Sequence, residues 1–150
     1  MLLFSYGSNL ASEEVSEGAR FLGPALLRDH RLALTRRSIR WGGGVVDVVE
    51  AAGECVWGAV YEAPETALVE LDRKEGAGFA YRRRAVEVSV EGELRSAVAY
   101  EVIHKEPDAP PATPEYAALV LRGARERGLP EAWLGELESV LTGAGSVPAG

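Results

Sequence analysis

The chain has 150 residues, 47% apolar and 26% charged, with a formal net charge of −7 and one cysteine. That length buries one good core, and the composition is that of an ordinary soluble domain. The negative total argues against a general nucleic-acid or anionic-membrane binder, and the lone Cys55 excludes an intrachain disulfide scaffold.

The first strand candidate covers residues 2–6, and its apolar run Leu2-Leu3-Phe4 leads into Tyr6-Gly7-Ser8-Asn9-Leu10. Gly7 permits backbone conformations closed to other residues, and Ser8 and Asn9 are good helix starters. Such a strand–turn–helix junction is either an N-capped turn or a set of backbone N–H groups aimed at an oxyanion or carboxylate. A short helix is expected over residues 11–19. Gly23-Pro24 reads as a break, followed by a long strand over residues 25–35 in which Leu32 and Leu34 alternate with polar residues. After Trp41-Gly42-Gly43-Gly44, a β-branched strand covers residues 45–49, and Gly53 turns the chain into another over residues 55–62. Cys55 is expected there as a small buried thiol.

Pro64 opens a helix over residues 65–74, whose Ala67, Leu68 and Leu71 fall on one face. Residues 81–91 alternate, with Val86, Val88 and Val90 opposite Glu87, Ser89 and Glu91. Gly92 then turns a hairpin into residues 94–104. Pro107, Pro110, Pro111 and Pro114 mark a loop, and residues 115–141 are helical with an interruption at Gly128-Leu129-Pro130. Residues 1–141 form one domain, and the Gly/Ala/Ser/Pro-rich residues 142–150 are expected to be a flexible tail. Six strand candidates, one inserted helix and two late helices predict an α+β fold, a curved or closed sheet with helices outside.

At the end of the Pro64 helix lies Asp72-Arg73-Lys74-Glu75-Gly76. Arg73 and Lys74 suit the negative potential of a helix C-terminus, whereas Glu75 breaks that rule. Glu75 is either a solvated helix-end carboxylate or, facing an apolar cavity, a general base of raised pKa. Ser8 lacks the second glycine of a nucleophile elbow, and His30 and His104 lie in charged strand segments unsuited to a triad. Two histidines and one cysteine without paired spacing do not make a zinc site, and the glycine runs complete neither a P-loop nor a dinucleotide fingerprint. Tyr81 and Tyr116 are either core aromatics or ligand contacts. Arg36-Arg37 and Arg82-Arg83-Arg84 read as solvated strand faces, with an arginine meeting a ligand carboxylate as the alternative. The N-terminus has no secretory-signal pattern and no segment long enough to span a membrane, so the expected location is the cytoplasm.

Taken in order, these segments resemble the γ-glutamylcyclotransferase-like family. The resemblance is carried by Tyr6-Gly7-Ser8-Asn9-Leu10, Gly23-Pro24-Ala25, Trp41-Gly42-Gly43-Gly44, Val56-Trp57-Gly58, Leu71-Asp72-Arg73-Lys74-Glu75-Gly76, Tyr81 and the stretch from Pro111 to Pro130. It covers about residues 1–141, and the late stretch is closest to the classical branch. The family implies a small, mixed, mostly antiparallel β-barrel with flanking helices and a cofactor-free, metal-free cavity at one end. It implies a small γ-glutamyl substrate whose α-amine attacks its own γ-carbonyl, giving 5-oxoproline and a free amine, in the setting of glutathione metabolism. Glu75 is then the catalytic base, and Tyr6, Gly7, Ser8, Asn9, Leu10, Tyr81 and Tyr116 bind substrate. A homodimer is compatible with the family. Two other readings stay open: a leaving group that is a γ-glutamylamine or an antibiotic precursor, and a catalytically idle member that binds a small metabolite.

Overall fold

A computed structural model describes residues 1–11, 18–75 and 80–143, with Glu75 described by its backbone. In chain order these form β1 (Leu2–Ser5), a single 3₁₀ turn (Ser8–Leu10), β2 (Arg20–Arg37), β3 (Gly44–Glu62), α1 (Glu65–Glu75), β4 (Tyr81–Val90), β5 (Glu93–Val102), α2 (Pro114–Glu126) and α3 (Glu131–Leu141). The strands close into a barrel in the order β1-β3-β2-β4-β5. Each neighbouring pair is antiparallel except β5 with β1, which run parallel. The expected mixed, mostly antiparallel barrel with helices is therefore the fold. Residues 12–17 of the short helix expected after the pentapeptide, Gly76 and residues 144–150 of the expected tail lie outside the described residues.

Hydrophobic alternation drives closure. Leu3, Phe4, Val48, Val56, Val60 and Val88 are fully buried inside. Ala67, Leu68 and Leu71 bury the inner face of α1, and each leucine contributes about 1.5–3 kcal/mol of burial. Glu91 and Gly92 both take positive φ, as a two-residue hairpin between β4 and β5 requires. α2 starts at Thr113, whose hydroxyl oxygen accepts from the Tyr116 N–H, and buries Tyr116, Val120, Gly123 and Ala124.

Three local expectations are corrected. Gly23-Pro24 does not break the strand. β2 runs through it with a register shift between Phe21 and Gly23, and such an irregularity accommodates a residue without an N–H. The strands expected on either side of Gly53 are one strand, β3, so the described residues hold five strands rather than six. Opposite Gly53 the ladder skips from Arg28↔Cys55 to His30↔Glu50. Asp29, at positive φ, accepts the Gly53 N–H at 3.0 Å across that bulge. Cys55 is exposed, not buried: its neighbour Val56 takes the inward position, and alternation turns the thiol outward.

Candidate active site

β1 delivers the pentapeptide to one end of the barrel. Its turn closes with the Leu10 N–H on the Gly7 carbonyl at 3.0 Å and the Ala11 N–H on the Ser8 carbonyl at 3.3 Å. Those bonds leave the N–H groups of Gly7 and Ser8 without a partner among the described residues. A side chain at position 7 would not fit. A Cβ there would lie 2.8 Å from Val46 Cγ2 and 3.4 Å from the Tyr116 hydroxyl.

Tyr116 comes from the far end of the chain, and its placement is traceable. The Gly43-Gly44 backbone lets the proline loop lie directly on the start of β3: a Cβ on Gly44 would collide with the Pro110 carbonyl, and the Gly44 N–H donates to Pro111 at 3.0 Å. That loop runs into the Thr113 cap, and one turn later the buried Tyr116 hydroxyl accepts the Val46 N–H at 3.2 Å. Trp41 packs edge-on against the Tyr116 ring, with centroids 5.3 Å apart.

Around the loop is a cleft in two parts. The inner cavity, about 30 Å³, is lined by Ser5, Tyr6, Gly7, Ser8, Asn9 and Tyr81, with Tyr100 and Tyr116 completing its rim. It is on the order of two water molecules in size, room for a carboxylate or a carbonyl oxygen and little more. The outer chamber, about 210 Å³, shares Ser8, Tyr81 and Tyr116 with it and reaches Arg73 and Lys74 in the last turn of α1. Glu75 is the last residue of that helix; its carboxylate lies outside the described residues. Tyr6, Gly7, Ser8, Asn9, Tyr81 and Tyr116 are thus gathered at one cleft. Leu10 is not on its wall: it is fully buried in the core, and its carbonyl accepts from the Tyr61 hydroxyl at 3.3 Å and Arg127 Nε at 3.2 Å.

Two cleft residues escape a sequence reading. Ser5 is buried at the end of β1, with its hydroxyl unpartnered among the described residues. Tyr100 accepts the Tyr6 hydroxyl at its carbonyl and donates its own hydroxyl to Asp72 at 2.6 Å. Burial first, and the bond to the Asp72 carboxylate second, push the Tyr100 pKa well up, so it stays a neutral donor. Asp72 also receives a two-point contact from Arg83, Nε at 2.9 Å and NH2 at 2.7 Å, and Arg83 reaches Glu65 at 3.0 Å. The Arg83 hydrogen bonds hold the Asp72 carboxyl below the ordinary carboxylate range, against a smaller opposing effect of burial. This network clamps α1 to β4 and β5, one turn before Glu75. Among the described residues no three of His, Cys, Asp and Glu gather into a metal-ligand set, and no helix is long and apolar enough to cross a membrane.

The chain is similar to known proteins in sequence and fold. The model of the AIG2-like family matches residues 55–137. The chain is 32% identical to the γ-glutamylcyclotransferase of Bos taurus over 148 residues, which span 93% of this chain and 78% of that protein. The Homo sapiens γ-glutamylcyclotransferase gives the same identity and the same shares over 149 residues. A solved γ-glutamyl cyclotransferase structure superposes with a TM-score of 0.86 at 29% identity, covering 93% of this chain and 87% of that one. With its barrel, pentapeptide cleft and α1 terminus, the chain belongs to the AIG2-like family, and within it to the group of the γ-glutamylcyclotransferases.

Proposed function

We propose that the protein is a γ-glutamylcyclotransferase that converts a γ-glutamyl amino acid or peptide into 5-oxoproline and the free amine. The observation that carries the residue-level mechanism is the meeting of the Tyr6–Asn9 loop and the last turn of α1 at one cleft. The substrate supplies its own nucleophile, so no serine or cysteine has to attack. Its α-nitrogen forms a bond to the γ-carbonyl carbon, and the C–N bond to the departing amine breaks. Glu75 accepts the proton that the attacking nitrogen sheds and returns it to the departing nitrogen, so the cycle consumes no co-reactant. Charge builds on the carbonyl oxygen between those steps. The N–H groups of Gly7 and Ser8 suit that charge, because the turn's own bonds leave them available. Holding the glutamyl chain bent, with amine against carbonyl, supplies a further large share of the rate. Tyr6, Asn9, Tyr81 and Tyr116 shape the pocket that bends it.

The enzyme is assigned to the cytoplasm, where an unpaired, exposed thiol such as Cys55 is at home.

Incubation with γ-glutamyl-alanine, γ-glutamyl-ε-lysine and glutathione, with 5-oxoproline measured, tests the activity. No product from any of a broad γ-glutamyl panel would sink it. Glu75→Gln keeps shape and loses the base, so turnover should fall by about 10²–10⁴-fold with the melting temperature unchanged. Near-wild-type turnover in that variant would remove Glu75 from the mechanism.

A further inference from the structure

One face of α2 carries Tyr116, Val120, Gly123 and, at the helix C-cap, Arg127. It begins at the cleft with Tyr116 and ends beside the exit of the Ser8–Leu10 turn. Gly123 brings the helix within reach of that exit. A Cβ there would fall 2.5 Å from the Ala11 nitrogen and 2.8 Å from Leu10 Cβ, so only glycine lets α2 lie directly on the turn. One helical turn later, Arg127 Nε donates to the Leu10 carbonyl.

Two features set this arginine apart from a surface charge. Its guanidinium carbon lies 4.9 Å from the centre of the Phe21 ring and 5.5 Å from that of Tyr61. Phe21 and Tyr61 are register partners on β2 and β3, so the barrel itself fixes the seat of the guanidinium. The Tyr61 hydroxyl donates to the same Leu10 carbonyl, and burial keeps that phenol protonated by raising its pKa, against a smaller opposing effect of the Arg127 charge. A helix C-terminus favours a cation, but that explains only the charge. Arg125, in the last turn of α2, serves the helix end equally well and is exposed. Arg82, Arg83 and Arg84 are each paired with a carboxylate, whereas Arg127 makes no ion pair among the described residues and turns its Nε to the backbone of another element.

The geometry of the turn says what this bond controls. Leu10 gives its own N–H to the Gly7 carbonyl, and that carbonyl shares one rigid peptide plane with the Ser8 N–H. A shift of Leu10 therefore tilts the Ser8 N–H. β1 fixes the entry of the turn, and the Leu10 carbonyl fixes its exit. We propose that Arg127 is a positioning residue: with Tyr61 it holds the Leu10 carbonyl, and through Leu10 it aims the Ser8 N–H at the carbonyl oxygen of the substrate. This deepens the cyclotransferase reading and rests on it.

Arg127→Ala and Tyr61→Phe are compared with wild type on γ-glutamyl-L-alanine, with kcat and KM measured separately below each melting temperature. Arg127→Ala should lose about 10- to 100-fold in kcat, the cost of a slightly misplaced donor, with KM unchanged. Ethylguanidinium replaces the atoms that this variant lacks, and at a non-denaturing concentration it should restore part of the kcat. Tyr61→Phe keeps both rings and should lose less kcat, again at constant KM. Arg125→Ala, which removes a cation from the same helix end, should keep the wild-type kcat. An arginine that only stabilised the fold would lower the melting temperature and leave the kcat of the folded enzyme alone. That result, a loss that ethylguanidinium does not reduce, or an equal loss in Arg125→Ala overturns the proposal. If Arg127→Ala does not fold, Tyr61→Phe takes its place, and a wild-type kcat there overturns the proposal. If wild type releases no 5-oxoproline from a broad γ-glutamyl panel, the cyclotransferase reading fails instead, and the amide spectra of the ¹⁵N-labelled proteins decide the positioning. A Ser8 resonance displaced in the variant retains it; one left in place overturns it.

Discussion

A buried hydroxyl without a partner costs a folded protein about 1–3 kcal/mol, and the Ser5 hydroxyl at the inner cavity, 4% exposed, has no partner among the described residues. Packing gives no return for it, since an alanine would fill the same place on β1. A ligand in the inner cavity would supply the missing partner. Ser5→Ala should leave the melting temperature unchanged or raise it, while KM for a γ-glutamyl substrate rises about 3- to 10-fold. Titration of substrate against both proteins, beside a thermal melt, checks this. A lower melting temperature with unaltered KM would assign the hydroxyl to the fold instead. Nothing local marks Ser5 in the sequence, because a serine following Leu-Leu-Phe reads as the end of a strand. The glycine beside it is different: Gly7 is legible as special, and the 2.8 Å approach of Val46 supplies the reason. The orientation of Cys55 was misread because the apolar run Cys55-Val56-Trp57 hides which parity faces inward.

At the scale of elements, the helices and the β4–β5 hairpin were legible, since caps, turn residues and apolar spacing are local signals. The clamp on α1 was not. Arg83 and Tyr100 are paired across the β4–β5 hairpin, but only the packing of α1 on the barrel brings Asp72 within 2.9 Å of each of their side chains. The clamp has a pH signature. A carboxyl held below its ordinary value contributes fully above about pH 4 and loses that contribution as pH falls through the lower folded value. Asp72→Asn should therefore cost about 1–3 kcal/mol at pH 7. The gap from wild type should narrow in urea unfolding at pH 3. A gap of constant size across that range would mean that ionisation of Asp72 contributes nothing.

Over the whole molecule, closure rests on two thin seams. β2 meets β4 through the single register pair Leu26↔Ser89, and β5 meets β1 through Leu3↔Val98. Asp47 compensates near one of them. It is fully buried on β3 and accepts from the Thr35 hydroxyl at 2.9 Å, the Val48 N–H at 2.9 Å and the Val102 N–H at 3.1 Å; Lys105 pairs with it at 2.9 Å. One carboxylate thus joins β2, β3 and β5. Removing it strands a hydroxyl and buried N–H groups together, so Asp47→Ala should lower unfolding stability by about 3 kcal/mol or more. Denaturant melts of the two proteins measure this, and a loss under about 1 kcal/mol would show that the seams hold without it. The sequence pattern announces a closed sheet but not its seams, because strand order depends on pairings between distant residues.

The turn at Ser8–Leu10 is held by partners made last. Gly123 packs against Leu10 and Ala11 so closely that a Cβ would fall 2.5 Å from the Ala11 nitrogen, and Arg127 donates to the Leu10 carbonyl across 117 positions of chain. The turn therefore reaches its final geometry only once residues more than a hundred positions later in the chain have packed onto it. Such long-range closure slows folding, because a large loop must be ordered before its contacts repay the entropy. A chain ending before α2 would keep the Tyr61 bond to the Leu10 carbonyl but lose the contacts of Gly123 and Arg127 with the turn.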